Sequence, residues 1–199
     1  MIDLRRDLLM IGRWFRWIRA GDQHLACNDP RVSAASTRIQ LTSPAFDDGA
    51  AIPVRHAGAG LGDNLSPPLE WSGIPAWTSE LVLVIQDPDA PLPRPSVHLI
   101  ATGIPGDCRA LGEGHLSPGA AQKIAFGRGS FGRIGYSGPR PIPGHGPHRY
   151  VFQIFALASR LRVPARADLC VTKTAMSGFV LAYGTLSGVF DPDLVVTRS

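Results

Sequence analysis

The stretch His148-Arg149-Tyr150-Val151-Phe152-Gln153-Ile154-Phe155-Ala156-Leu157-Ala158 decides the fold class. It alternates at first and then runs apolar, with the aromatic and β-branched residues of a strong strand. Residues two apart on a strand share a face, so His148 and Tyr150 point together and Arg149 points away. Working outward, Leu81–Gln86 is a continuous apolar run ended by Asp87-Pro88, which suits a buried strand. Val97–Ile104, closed by Pro105, is another, and Leu186–Phe190 reads as a final short strand. Pro164 and Asp168 signal a helix start. The spacing of Leu169, Met176, Phe179 or Val180, and Tyr183 carries that helix to about residue 183. Residues 106–135 hold eight glycines and read mostly as loop.

Composition agrees. The 22 glycines and 18 prolines among 199 residues exceed the usual combined share of about 12%. Both residues break helices and favour turns, so many short strands are expected rather than a helix bundle. A chain of this size buries roughly 70% of its unfolded surface, so no disulfide or metal staple is required. The 3 cysteines (Cys27, Cys108, Cys170) are odd in number and far apart, which argues against a disulfide framework and for a reducing compartment or buried thiols. The cytoplasm is the expected location. Net charge is +4, but residues 37–199 carry no basic stripe, so nucleic acid is not an expected partner. The excess of arginine over lysine reads as genomic composition bias.

Residues 1–36 differ from the rest. Leu4, Leu8, Ile11, Phe15 and Ile18 share one helical face, interrupted by Arg5, Arg6, Arg13, Arg16 and Arg19, with Trp14 and Trp17 alongside. No apolar run approaches the ~20 residues needed to span a bilayer. The run Leu8–Gly12 is too short for a secretory signal core of about 7–15 residues. Residues 1–20 are therefore expected to form an amphipathic helix. It lies on an anionic membrane surface, on a partner, in a homodimer contact or on its own domain. Residues 20–36 read as a linker, and residues 37–199 as the folded body.

Four groups carry the chemistry. Asp87-Pro88-Asp89-Ala90-Pro91 presents two carboxylates on a stiff turn. His98 sits inside an apolar strand. Gly138-Pro139-Arg140-Pro141-Ile142-Pro143-Gly144-His145-Gly146-Pro147 is a loop whose glycines let backbone N–H groups approach an anion. His148-Arg149-Tyr150 enters the strongest strand. Imidazolium and backbone N–H groups stabilise an anion, and Asp87 or Asp89 can orient a histidine. Each group alone also has a plain structural reading, as a turn cap or a satisfied core histidine. Together, polar residues in strong strands carry a burial cost that calls for partners.

These motifs, with Leu41-Thr42-Ser43-Pro44-Ala45-Phe46 and Asn64-Leu65-Ser66-Pro67-Pro68-Leu69-Glu70-Trp71, resemble the phosphatidylethanolamine-binding protein family. The likeness is greatest to its bacterial and archaeal Raf-kinase-inhibitor-like branch and runs from about residue 39 to 190. It implies a mainly β fold, with a large antiparallel sheet packed on a smaller sheet and C-terminal helices. It also implies a small pocket for phosphate or phosphorylated and phospholipid head groups, with a role in regulating a partner such as a kinase. Carried over by motif, the pocket residues are Asp87, Asp89, His98, Gly138, Pro139, Pro141, His148 and Tyr150. No cofactor and no metal are implied. The chain departs from the family pattern at Gln86, Val97, Ile142 and Phe179, and Val97 removes an aromatic wall beside His98. Two rival readings stand beside this one. The Asp/His cluster could serve a hydrolase or metal-dependent enzyme, although no H-E-x-x-H spacing or G-x-S-x-G elbow is present. Alternatively the pocket is vestigial and the surface contacts a partner protein.

Overall fold

The computed structural model describes residues 4–33, 35–120 and 124–193. Its strands are β1 (Thr37–Arg38), β2 (Gln40–Thr42), β3 (Leu69–Ser72), β4 (Glu80–Asp87), β5 (Ser96–Pro105), β6 (Ala110–Leu111), β7 (Ala125–Phe126), β8 (His148–Leu157) and β9 (Val180–Phe190). The helices are α1 (Leu4–Phe15), α2 (Pro30–Ser33) and α3 (Leu169–Met176). A six-stranded sheet runs β1-β9-β8-β4-β5-β7, and a three-stranded sheet runs β2-β3-β6. Every pairing is antiparallel except the edge pair β1–β9. The expected mainly β, two-sheet architecture is therefore present.

Alternation along the central strands builds two cores. Leu81, Leu83 and Ile85 of β4, with Phe152 and Ile154 of β8, face the small sheet and pack with Leu41, Leu69, Trp71 and Leu111. Val82, Val84, Val151, Phe155 and Leu157 point the other way. Because both faces are covered, these strands are apolar throughout, which is why they read as continuous runs.

The cover on the second face corrects one expectation. Residues 20–33, read as linker, form two short 3-10 turns and α2, and bury Leu25, Ala26, Cys27 and Val32 against that face with Met176. Only a handful of apolar side chains is involved, without helical or strand period, so no pattern marked them. The segment is held by amides: Ala26 N–H donates to Gln86 Oε1 (2.8 Å) and Cys27 N–H to Gln153 Oε1 (2.8 Å). Gln86 and Gln153 look out of place in apolar strands until these partners are seen.

The C-terminal helix is also shorter than its spacing predicts. Asp168 caps it, accepting from Val171 N–H, but Gly178 at φ +80 ends it. Val180 and Tyr183 instead pair with Leu157 and Phe155, so β9 begins where the helix was expected to continue. Residues 1–3, 34, 121–123 and 194–199 lie outside the described residues.

Candidate functional site

A bulge in β5 assembles the site. Ile85 pairs with Leu99 but Gln86 pairs with Val97, so His98 is the extra residue. Bulges re-aim side chains, and here both His98 and Leu99 serve the inner face. Simple alternation brings Asp87 from β4 and His148 and Tyr150 from β8 to the same face. Arg149 points to the other side, as strand geometry demands. Asp87, His98, Pro141, His148 and Tyr150 line one cavity of about 150 Å³, together with Arg133 and Arg140.

Each imidazole has a defined role. His98 Nδ1–H donates to the Ser137 carbonyl at 2.6 Å, which leaves Nε2 free. Burial pushes the His98 pKa down, despite the nearby Asp87 charge, so the ring is neutral near pH 7 and its Nε2 offers a lone pair. Its ring stands edge-on to Tyr150, with centroids 5.0 Å apart. Burial, then the Asp87 charge, holds the Tyr150 phenol well above its ordinary value, so it keeps its proton. Among the described residues its Oη is the one buried side-chain polar atom with no hydrogen-bond partner.

His148 departs from expectation. It was to face the anion, but both ring nitrogens are engaged inside the protein: Nδ1 with Asp87 Oδ2 (2.8 Å) and Nε2 with His145 Nδ1 (2.7 Å). His145 Nε2 in turn donates to the Phe15 carbonyl at 2.9 Å, a group that only accepts. The ring of His148 contributes a wall to the cavity and orients Asp87. Asp87 Oδ1 accepts from Asp89 N–H, closing the turn.

Three expected pocket residues lie elsewhere. Asp89 accepts from the backbone and guanidinium of Arg149 and pairs with Arg19, tying the acidic turn to β8 and to the N-terminal segment. Burial raises the Asp89 pKa, but the Arg149 hydrogen bonds outweigh it and the net direction is down. Gly138 N–H donates to Asn64 Oδ1, and Pro139 O accepts from Gly58 N–H. A Cβ on Gly138 would sit 2.2 Å from the His56 carbonyl, so this glycine serves close backbone packing and not ligand approach. Arg133 lies outside the expected set, while Arg140 and His145 belong to the quoted loop, where His145 bonds His148 and the Phe15 carbonyl. The signal for Arg140 was its place between Pro139 and Pro141, which fixes where its backbone goes.

Residues 42–191 match the family model described as phosphatidylethanolamine-binding protein. The chain belongs to this family. It is 34% identical over 170 residues to a UPF0098 protein of Aquifex aeolicus, covering 85% of this chain and 98% of that one. It is 37% identical over 155 residues to the UPF0098 protein YbhB of Escherichia coli, covering 75% and 94%. Among solved structures, E. coli YbcL aligns with a TM-score of 0.70 at 27% identity, covering 77% of this chain and 98% of that one. CT736 of Chlamydia trachomatis aligns with a TM-score of 0.69 at 32% identity, covering 77% and 97%. These likenesses place the chain in the bacterial and archaeal branch. The family match begins at residue 42, so α1 and the residues 20–33 that help cover the second face precede it. Among the described residues no group of three or more His, Cys, Asp or Glu side chains is arranged to hold a metal, and no helix is long and apolar enough to cross a membrane.

The lowered pKa values of His98 and His145 carry a pH prediction. Burial is the main cause in both, joined at His145 by the neighbouring His148. As pH falls through about 6.5, the unfolded chain takes up protons on these two groups that the folded chain refuses. Their effect on stability is therefore favourable above that pH and is lost below it. Thermal unfolding without ligand should show a midpoint that falls as pH drops from neutral towards 5. A His98→Asn variant should show a shallower fall. An identical slope in both proteins would contradict the assignment for His98.

Proposed function

We propose that the cavity binds a phosphate-type anion, free or as the head of a phosphorylated molecule or phospholipid. The observation that carries this reading is the Tyr150 hydroxyl, buried in the cavity wall without a hydrogen-bond partner among the described residues, on a ring that meets the His98 ring edge-on. A buried hydroxyl without a partner costs about 1–3 kcal/mol, and a bound acceptor removes that cost. Size supports a small group: 150 Å³ is well below the roughly 300–1,000 Å³ of sites for drug-sized ligands. Charge supports an anion. Asp87 is engaged by His148, while Arg133 lines the cavity close enough for its charge to act on His98.

The chemistry follows from the free groups. Tyr150 O–H donates to one ligand oxygen. His98 Nε2 accepts the proton of a monoanionic phosphate, or arrives protonated and donates. Either way one proton is shared between ligand and ring, so binding is linked to proton uptake and weakens as pH rises. His148, with both nitrogens engaged, has none left to take a proton from water, and this favours binding over hydrolysis.

Calorimetric titration with inorganic phosphate and with phosphoethanolamine tests the reading. Tyr150→Phe should weaken binding by roughly ten- to a hundredfold, the worth of a hydrogen bond to a charged group. The same variant should be as stable as the parent or more so, because it removes an unsatisfied group. Unchanged affinity in Tyr150→Phe, or no binding of either compound by the parent, would refute the proposal.

A further inference from the structure

Leu8, Met10, Ile11, Trp14 and Phe15 of α1 are left uncovered. Its seat on the domain is narrow: a Cβ on Gly12 would lie 2.0 Å from the Pro143 carbonyl, so the helix meets the Gly/Pro loop backbone to backbone. His145 holds the Phe15 carbonyl, and Arg19 holds Asp89 (3.1 Å) and the Pro147 carbonyl (3.2 Å). With Gly12 facing in, positions about half a turn away face out. Met10, Trp14 and Trp17 are 63%, 82% and 86% exposed, and Leu8, Ile11 and Ile18 are exposed beside them. Soluble monomers rarely leave so large a contiguous apolar surface uncovered.

Charge decides what covers it. Residues 4–19 hold five arginines against one aspartate, a net +4. Arg13 and Arg16 are exposed at the edge of that face, where they line a cleft that Asp191 and Asp193 also border, and Arg16 stacks over Trp17 at 5.4 Å. A two-fold contact between copies would press one arginine-rich helix on another. An anionic bilayer surface complements both halves of the pattern: tryptophan and aliphatic side chains enter the acyl boundary while arginines meet the head groups.

We infer that α1 is a pre-docked membrane-surface anchor for anionic lipid, with Met10, Trp14 and Trp17 inserted and Arg13 and Arg16 on the head groups. It is separate from the cavity and independent of what the cavity binds. The test is flotation of the full chain with phosphatidylcholine vesicles, with and without phosphatidylserine. The protein should float with the phosphatidylserine vesicles and stay behind with phosphatidylcholine alone. Trp14→Ala combined with Trp17→Ala should abolish flotation. Arg13→Gln combined with Arg16→Gln should lower partitioning by roughly thirtyfold, taking about one kcal/mol per arginine near such a surface. These side chains are exposed, so circular dichroism of the variants should match the parent. No flotation with anionic vesicles overturns the inference, as does undiminished flotation of the tryptophan variant. So does sedimentation equilibrium showing a dimer that the tryptophan variant converts to monomer, because the face would then belong to a second copy.

Discussion

Replacing His148 with alanine will cost about 1–3 kcal/mol of folding stability or more, the range for leaving a buried hydrogen-bonding group without its partner. Asp87 is 3% exposed, and its Oδ2 has the His148 ring as its side-chain partner. Without the ring, that oxygen is buried with no donor, and only Oδ1 keeps its bond to Asp89 N–H. His145 Nδ1 loses its partner at the same time, which slackens the grip on the Phe15 carbonyl. Asp87→Ala should also destabilise. The two effects should not add, because each variant breaks the same bond, and the double variant should fall short of the sum by about 0.5–3 kcal/mol. Urea unfolding at constant m-value measures all three. A loss under about 1 kcal/mol in His148→Ala would mean that the Asp87–His148–His145 series is held by water instead.

The same residues show how far the chain could be read before its structure. The strand Arg149–Ala158 and the run Leu81–Gln86 were legible because both faces of the large sheet are covered and nearly every residue there is apolar. Placing His148 and Tyr150 together needed only the two-residue period of a strand. His98 is different. It reaches the cavity through a bulge, and one extra residue in one strand leaves no mark in composition or period. The internal bonds of His148 are hidden in the sequence for a related reason. A histidine beside a glycine-rich loop suggests a ligand, but what engages it is His145, three residues earlier, and an aspartate sixty-one residues away. Gly138 and Pro139 lie outside the cavity because that loop packs on residues 56–64, a contact between distant segments. The family resemblance supplied the site as a set. The geometry then divides the set into residues that line the cavity and residues that hold its frame.

Gln153→Leu tests the part of the fold that was read as a linker. The side chain is fully buried; its Oε1 accepts from Cys27 N–H and its Nε2 donates to Gln86 Oε1 at 3.1 Å. Leucine has similar bulk and no acceptor, so the Cys27 amide is left buried and unpaired, at a cost of about 1–3 kcal/mol. Gln86→Leu should act similarly through the Ala26 amide, and the pair should couple because the two side chains bond each other. Where the energy is lost matters more than its size. Residues 24–28 are attached through these amides and a few apolar contacts, so the loss should appear first as local opening of that segment. Cys27 reports it directly. Burial raises its thiol pKa, which makes it doubly slow to react. In a background carrying Cys108→Ser and Cys170→Ser, a thiol reagent should modify Cys27 slowly in the otherwise unchanged protein. Gln153→Leu should speed that reaction by roughly tenfold or more, if about 1.4 kcal/mol or more of the loss falls on local opening. A loose linker behaves otherwise: Cys27 reacts at the rate of a free thiol from the start, and Gln153→Leu leaves that rate where it was.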